Sequence, residues 1–250
     1  MNKPTALVTG ASRGIGQAIA LALADAGFRV AIHYSTREAA AHKVRQQLVG
    51  SGHVCLGADL MDTKARETLF DQTLHHFKQL DVLVNNAGIF QEDELIDLTR
   101  DQWSQKWQPT IELNLTAASH LTFLAAQHMA EQGKGRIINI TSRGAFRGEP
   151  RAPEYGASKA GLNAVSQSFA QAYAAKSVWV FAVAPGFVET DMAAELLNGP
   201  KGDSIRAQSP LGRVAQPQEV GNLVAYLAVD APAYLSGAIL DINGASYLRN

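Results

Sequence analysis

One cysteine, Cys55, occurs in 250 residues. An intramolecular disulfide is therefore excluded, and the thiol usage fits a reducing compartment. Cys55 lies in the apolar run His53-Val54-Cys55-Leu56-Gly57, where a buried, inert thiol is expected. No stretch approaches the roughly 18 uninterrupted apolar residues of a membrane span. Met1-Asn2-Lys3-Pro4 leads straight into a strand-like run, without the charged, apolar and small-residue order of a secretory signal. A soluble, cytoplasmic protein with no membrane contact is the expectation. A bias of charge is missing too: 22 Lys and Arg against 23 Asp and Glu leave a net charge of -1. That balance gives no electrostatic footprint for nucleic acid. The 7 histidines include His75-His76 on a polar helix. No H-x-x-x-H or clustered Cys/His spacing points to a metal. Repeats, low-complexity tracts and long linkers are likewise absent.

What is present is a core. Hydrophobic residues make up 46% of the chain, enough for one large domain over residues 1–250. Short apolar runs alternate with longer helical patterns. The strand candidates are Ala6-Leu7-Val8, Arg29 to His33, His53 to Leu56, Asp81 to Val84, Arg136 to Ile140, Val178 to Val183 and Ile239 to Ile242. Helical patterns cover about 15–26, 38–48, 64–77, 113–129 and 156–174. The strands are unbroken and β-branched rather than alternating, as strands buried on both faces are. Repeated β-α-β units imply right-handed crossovers and a parallel sheet between two helical layers, a doubly wound α/β fold. The irregular stretch is about 186–216, punctuated by Pro200 and Pro210 and bounded by Pro185 and Pro217. A segment that long in a compact domain predicts a lid or substrate loop.

The first strand runs into Thr9-Gly10-Ala11-Ser12-Arg13-Gly14-Ile15-Gly16, and a helix opens at once. Glycines there allow a tight turn and close backbone approach to a pyrophosphate, while the helix N-terminus offers free N–H groups and a positive dipole end. The spacing is G-x-x-x-G-x-G, not the G-x-G-x-x-G fingerprint. NAD binders place an acid at the end of the second strand. Here that end reads His33-Tyr34-Ser35-Thr36-Arg37, with no acid before Glu38. Arg37, and Arg13 within the turn, are of the type that holds a 2′-phosphate through charge-assisted contacts. NADP(H) is therefore preferred, with NAD(H) as the alternative. The other reading is a pair of solvated surface arginines.

Tyr155-Gly156-Ala157-Ser158-Lys159 sets a phenol and an ammonium one helical turn apart, on one face. A neighbouring ammonium favours the phenolate and would bring its pKa down towards the working range. Ser142 follows the fifth strand, at the end of the sheet where such folds bind ligands, and could hydrogen-bond a substrate carbonyl. It has no His–Asp partner in an obvious triad order. The loop from Arg143 to Arg151 also carries Arg147; its arginines either meet an acidic carrier or a carboxylate substrate, or are simply solvated. Trp103 and Trp107, at i and i+4, read as a core or interface stripe.

Over essentially its whole length the sequence resembles the short-chain dehydrogenase/reductase family, a Rossmann-type fold. The resemblance rests on the turn Thr9-Gly10-(x)3-Gly14-Ile15-Gly16, on Asn85-Asn86-Ala87-Gly88, on Asn114, Ser142, Tyr155 and Lys159 in the order and spacing of the family's catalytic tetrad, and on Pro185-Gly186-Phe187-Val188-Glu189-Thr190. It implies that Tyr155 donates a proton to a carbonyl oxygen as hydride arrives. Lys159 then lowers the Tyr155 pKa and holds the nicotinamide ribose, Ser142 orients the carbonyl, and Asn114 holds a water feeding protons to Lys159. It also implies a cofactor lying along Gly10, Ser12, Arg13, Gly14, Ile15 and Gly16; then Tyr34, Ser35 and Arg37; then Asp59 and Leu60 at the adenine. Asn86, Ala87, Gly88, Pro185, Gly186, Val188 and Thr190 complete that path. Within the family the likeness is nearest to 3-oxoacyl-(acyl-carrier-protein) reductases, through 182–192, Pro210-Leu211-Gly212-Arg213 and Tyr234-Leu235-Ser236-Gly237. Trp179 and Phe181 depart from it, standing where such reductases usually show Arg and Asn. The expectation is a homotetramer acting on a small carbonyl or an acyl thioester, the latter carried by acyl carrier protein. A sugar, steroid or small-alcohol dehydrogenase is the alternative within the family, and a non-catalytic NADP(H)-binding regulator the alternative outside enzymes.

Overall fold

The alternating runs fold as consecutive strands and helices. In the computed structural model, which describes residues 3–249, β1 spans Thr5–Val8, α1 Gly14–Asp25, β2 Arg29–Tyr34, α2 Glu38–Gln47, β3 Val54–Gly57 and α3 Thr63–Phe77. After β4 (Val82–Asn85) come α4 (Arg100–Ile111), a π-helical turn Glu112–Ala117, α5 (Ala118–Gln132), β5 (Gly135–Ile140), the short α6 (Gly144–Arg147) and α7 (Pro153–Tyr173). The chain continues through β6 (Val178–Pro185), α8 (Asp191–Asn198), α9 (Gly202–Arg206), α10 (Pro217–Val229) and β7 (Ile239–Ile242). Met1 and Asn2, part of the N-terminal sequence discussed above, lie outside the described residues, as do Asn250 and the side chains of Met192 and Glu195.

The sheet is 7-stranded, in the order β3-β2-β1-β4-β5-β6-β7, and each of its pairings is parallel. Its strands are apolar at consecutive positions because both faces are covered. Ala6, Val8, Val84, Ile138 and Val183 pack towards Ile19, Leu23, Val220 and Val224 of α1 and α10. The intervening Leu7, Leu83, Ile137 and Val180 pack towards Leu69, Leu121 and Met129 of α3 and α5. The pleat sends alternate residues to opposite helical layers. Local signals start and stop the helices: Asp62 caps α3 by accepting from the Ala65 N–H at 2.9 Å, and Gly133, at φ 77, ends α5. Connections leave β1 towards β2 and β3 on one side, and β4 begins the other side. The sheet therefore opens a crevice beyond the C-terminal ends of β1 and β4.

Three stretches differ from the sequence expectation. The polar α4 carries weak apolar patterning and tertiary packing settles it, whereas α10, missing from the expected helices, repeats Val220, Val224, Leu227 and Ala228 at helical spacing and lays that face against α1. The stretch 186–216 contains α8 and α9 and has a small apolar core of its own, Ala193, Leu197, Ile205 and Val214, with Phe187 and Leu196 packed on it. A parallel bridge between Val188 and Ala215 closes its base. Cys55 is only half-buried, with burial pushing its thiol pKa up, and Trp103 stacks on Trp107 at 4.9 Å outside the three apolar clusters. Phe181, one of the reductase departures, is fully enclosed at 0% exposure between β5 and β7. Phe181→Ala should lower the unfolding free energy by about 3–5 kcal/mol in urea titration, through lost burial plus the cavity left behind.

Candidate functional site

The crevice is built by stitching two turns together. Gly10 and Gly14 have φ of +62 and +55, backbone conformations that L side chains rarely adopt. At Gly16 an added Cβ would lie 2.3 Å from the Gly10 carbonyl and 2.5 Å from the Asn86 amide nitrogen. Asn86 Nδ2 donates to the Thr9 and Gly10 carbonyls at 2.8 and 3.1 Å. In return the Asn86 and Ala87 N–H groups donate to Thr9 Oγ1 at 2.9 and 3.0 Å. The turn after β1 and the turn after β4 thus share one hydrogen-bond network. At the head of α1, Arg13 occupies the N-cap position without a capping side chain, and the first turn holds no acid. Its backbone donors remain available to an anion.

His33 escaped the sequence reading as a site residue. Its Nδ1 accepts from the Gly10 N–H at 3.0 Å, and its Nε2 lies 3.1 Å from the Ala58 carbonyl. Those partners require the neutral tautomer with hydrogen on Nε2. Burial also lowers the His33 pKa to about 4. The ring thereby ties the glycine turn to the segment after β3. Only the strand pairing reveals this, because His33 lies 23 residues beyond Gly10.

A cleft of about 530 Å³ runs from here along the C-terminal ends of the strands, within the usual range of ligand sites. At one end it is lined by Arg13, Tyr34, Ser35, Arg37, Asp59 and Leu60. Arg13 Nη1 stands 3.7 Å from Asp191 of α8, across the cleft. Ser12, Ile15 and the glycines of the turn form its floor, and Ala87, Gly88, Pro185, Gly186, Val188 and Thr190 its middle. Thr190 closes on the turn: a Cβ at Gly14 would meet Thr190 Cγ2 at 3.2 Å. Every residue that the sequence singled out for the cofactor is in or beside this cleft. An uncapped helix terminus, a floor too tight for side chains and two arginines at one end fit a dinucleotide.

Ser142, Tyr155 and Lys159 line the other end. Phe90, which the motifs did not flag, meets the Tyr155 ring edge-on at 4.9 Å. Lys159 Nζ lies 5.6 Å from the Tyr155 ring centroid and donates to the Ile140 carbonyl at 2.9 Å. Ser142 Oγ accepts from the Gly144 N–H at 3.1 Å. Asn114 is behind the wall, at 0% exposure on the π-helical turn. Its amide pairs both ways with the Ile89 backbone at 2.8 and 2.9 Å and donates to Ser158 Oγ at 3.3 Å. A Cβ on Gly88 would contact both Asn114 Oδ1, at 3.0 Å, and Lys159 Nζ, at 3.5 Å. Asn114 and Lys159 therefore converge over Gly88, although 45 residues apart in sequence.

The electrostatics differ from the sequence expectation of a lowered phenol pKa. Burial pushes Tyr155 up to about 12; the Ser142 hydroxyl opposes that shift and the Glu149 charge adds to it. Lys159 is pushed down to about 8, again by burial. Desolvation dominates both shifts because Lys159 is buried and Tyr155 half-buried in the cleft wall, with no countercharge on either. Since the folded Lys159 pKa lies below the ordinary 10.5, folding releases its proton between pH 8 and 10.5, and stability rises across that window. Lys159→Met should therefore raise the unfolding free energy at pH 7 by up to about 3 kcal/mol. The gain should shrink as pH climbs through the window, as denaturant titration at several pH values would measure.

A family model described as Enoyl-(Acyl carrier protein) reductase matches residues 10–245. The 3-oxoacyl-(acyl-carrier-protein) reductase of Synechocystis sp. is 39% identical over 242 residues, covering 96% of this chain and 95% of that protein. The enzyme of that name from Escherichia coli K12 is 38% identical over 243 residues, 97% of each chain. Among solved structures, a putative gluconate dehydrogenase from Agrobacterium tumefaciens superposes with a TM-score of 0.90 at 31% identity, covering 97% of this chain and 95% of its own. With this fold, this cleft and these relatives, the chain belongs to the short-chain dehydrogenase/reductase family and is a nicotinamide-dependent oxidoreductase of the alcohol–carbonyl couple.

Proposed function

We propose that the protein reduces the ketone of a 3-oxoacyl thioester, with NADP(H) preferred over NAD(H). The observation that carries the reading is the convergence of Ser142, Tyr155 and Lys159 on one cleft with the uncapped head of α1. Full-length relatives bearing the acyl-carrier-protein reductase name support the thioester. Arg13 and Arg37 at the far end of the cleft, with no acid at the close of β2, support the 2′-phosphate. The domain is single, with 186–216 as its substrate flap. The reading carries a cytoplasmic homotetramer with it. Among the described residues no helix is long and apolar enough to cross a membrane.

Bound nicotinamide supplies the hydride. Tyr155, its pKa near 12, keeps its proton throughout the neutral range and is a proton donor rather than a base. Ser142 hydrogen-bonds the carbonyl oxygen and gains strength as that oxygen becomes an alkoxide. The alkoxide then takes the Tyr155 proton, and the resulting phenolate forms beside the Lys159 ammonium. That charge pair offsets the burial that keeps Tyr155 neutral and lowers the Lys159 pKa before reaction. Asn114 positions Gly88 and the Lys159 end of helix α7 through its bonds to Ile89 and Ser158.

Tyr155→Phe should lower kcat by roughly 10²- to 10⁴-fold, while the dissociation constant for NADPH, read by fluorescence, stays within twofold of wild type. NADPH should bind about 10- to 100-fold more tightly than NADH, as charge-assisted contacts warrant, and Arg37→Ala should narrow that gap; equal affinities in the wild type would remove the NADP(H) preference. Acetoacetyl thioester should outrun steroid, neutral sugar and diketone substrates in NADPH oxidation.

A further inference from the structure

Among the described residues, Arg66, Lys106, Arg143 and Lys159 are the buried cations. Arg66 meets Glu112 at 2.5 Å, and Lys106 meets Asp93 at 3.0 Å and Glu154 at 3.4 Å. Arg143 and Lys159 have no carboxylate of the described residues within 4.0 Å, and both line the cleft. Lys159 acts with Tyr155. Arg143, next to Ser142, has no such role. It is not a solvated loop arginine, being 3% exposed. The other arginines of its loop are spoken for: Arg147 faces Glu149 at 3.6 Å, and Arg151 holds Glu92 and Glu94.

The Arg143 guanidinium is held by neutral groups. Nη1 donates to Ser246 Oγ, Nη2 donates to Gln208 Oε1, and its plane lies 5.1 Å over the Phe187 ring. Its position is thereby fixed with no carboxylate of the described residues within ion-pair distance; burial and then the Arg147 charge lower its pKa to about 10, against the more distant Glu149 charge, which raises it. A guanidinium has more N–H groups than these two bonds use. Arg143 also lines a second cavity of about 60 Å³ next to the cleft, together with Ser209 and Asn243, space on the order of two waters.

We propose that Arg143 is an anion subsite for the substrate, taking a carboxylate carried close to the ketone that is reduced. A preorganised, desolvated guanidinium without an acid partner is matched to a carboxylate in planar, charge-assisted geometry. Arg143 lines the same cleft as Ser142, and its guanidinium lies over Phe187, another residue of that lining. A carboxylate held there shares the cleft with a carbonyl bound at Ser142. The carboxylate belongs either to a free oxo acid or to the acyl chain of the thioester. This inference rests on the carbonyl-reductase reading and narrows its substrate.

The test uses the full chain with NADPH and matched substrates: 3-oxoglutaryl- against acetoacetyl-N-acetylcysteamine for the thioester, and 5-ketogluconate against fructose for the free acid. Wild type should prefer the carboxylate member of at least one pair, and the pair that responds identifies the source. Arg143→Gln should lose about 10- to 100-fold in kcat/KM on that member, mainly through KM, and much less on the neutral partner; Arg143→Lys should recover part of the loss. NADPH binding by fluorescence should be retained in both variants. A wild type indifferent to the carboxylate, or a variant that loses both members equally, overturns the proposal, the latter leaving Arg143 as a staple between flap and tail. Should no substrate consume NADPH, the parent reading fails instead. Calorimetric titration with glutarate, against its dimethyl ester, then decides the subsite: binding lost in Arg143→Gln supports it, and no binding to wild type overturns it.

Discussion

The site depends on how closely the turns after β1 and β4 approach one another. Gly16 has no room for a Cβ because the Gly10 carbonyl and the Asn86 amide already fill that space. Asn86 crosses between the two turns, Thr9 Oγ1 answers it, and His33 braces the far side. The sheet order makes this contact necessary: β1 and β4 are neighbours with 73 residues between Val8 and Val82, and their connections diverge. Backbone donors at the head of α1 can face a ligand only because these bonds hold the turn open towards the cleft.

Burial then sets the chemistry. Tyr155 and Lys159 share one wall, and both are displaced towards their neutral forms, upwards for the phenol and downwards for the ammonium. An exposed pair at the same helical spacing would interact weakly through water. In the enclosed wall each group is costly to charge alone, and charging them together is the state that relieves both. The π-helical turn contributes from behind, since it directs Asn114 at the Ile89 backbone and at the base of α7.

The substrate end follows a different logic. Its flap packs on its own small core and reaches the rest of the molecule through Val188 in the main core, the Ser209 hydroxyl on the Gly244 carbonyl, the Arg13–Asp191 contact and the Arg143 guanidinium. Few apolar contacts hold such an element, so its polar ties carry unusual weight. Arg143 joins the segment after β5, the flap and the C-terminal tail, where Arg249 also lies over Phe146 at 4.4 Å. These three segments meet at the proposed anion subsite of the cleft.

The apolar runs at Ala6-Leu7-Val8 and Ile137-Ile138 were enough to predict buried parallel strands, because the pleat forces consecutive residues into two helical layers. The glycine turn and the Tyr155–Lys159 spacing were equally legible, since both are local: each depends on residues within one turn of backbone. Helix α4 was not, as its patterning is weak; α10 was legible in Val220, Val224, Leu227 and Ala228, but its partner α1, nearly 200 residues away, was not. Nor was His33, whose partners lie 23 and 25 residues off. The sign of the Tyr155 shift was also hidden, because spacing reports a neighbouring charge but not the loss of water around it. Arg143 looked like Arg147 and Arg151 in the sequence; tertiary packing alone buried it with no carboxylate of the described residues within 4.0 Å. Sequence determined which residues meet along one turn or one pleat, and tertiary structure decided which of them lose their water and their partners.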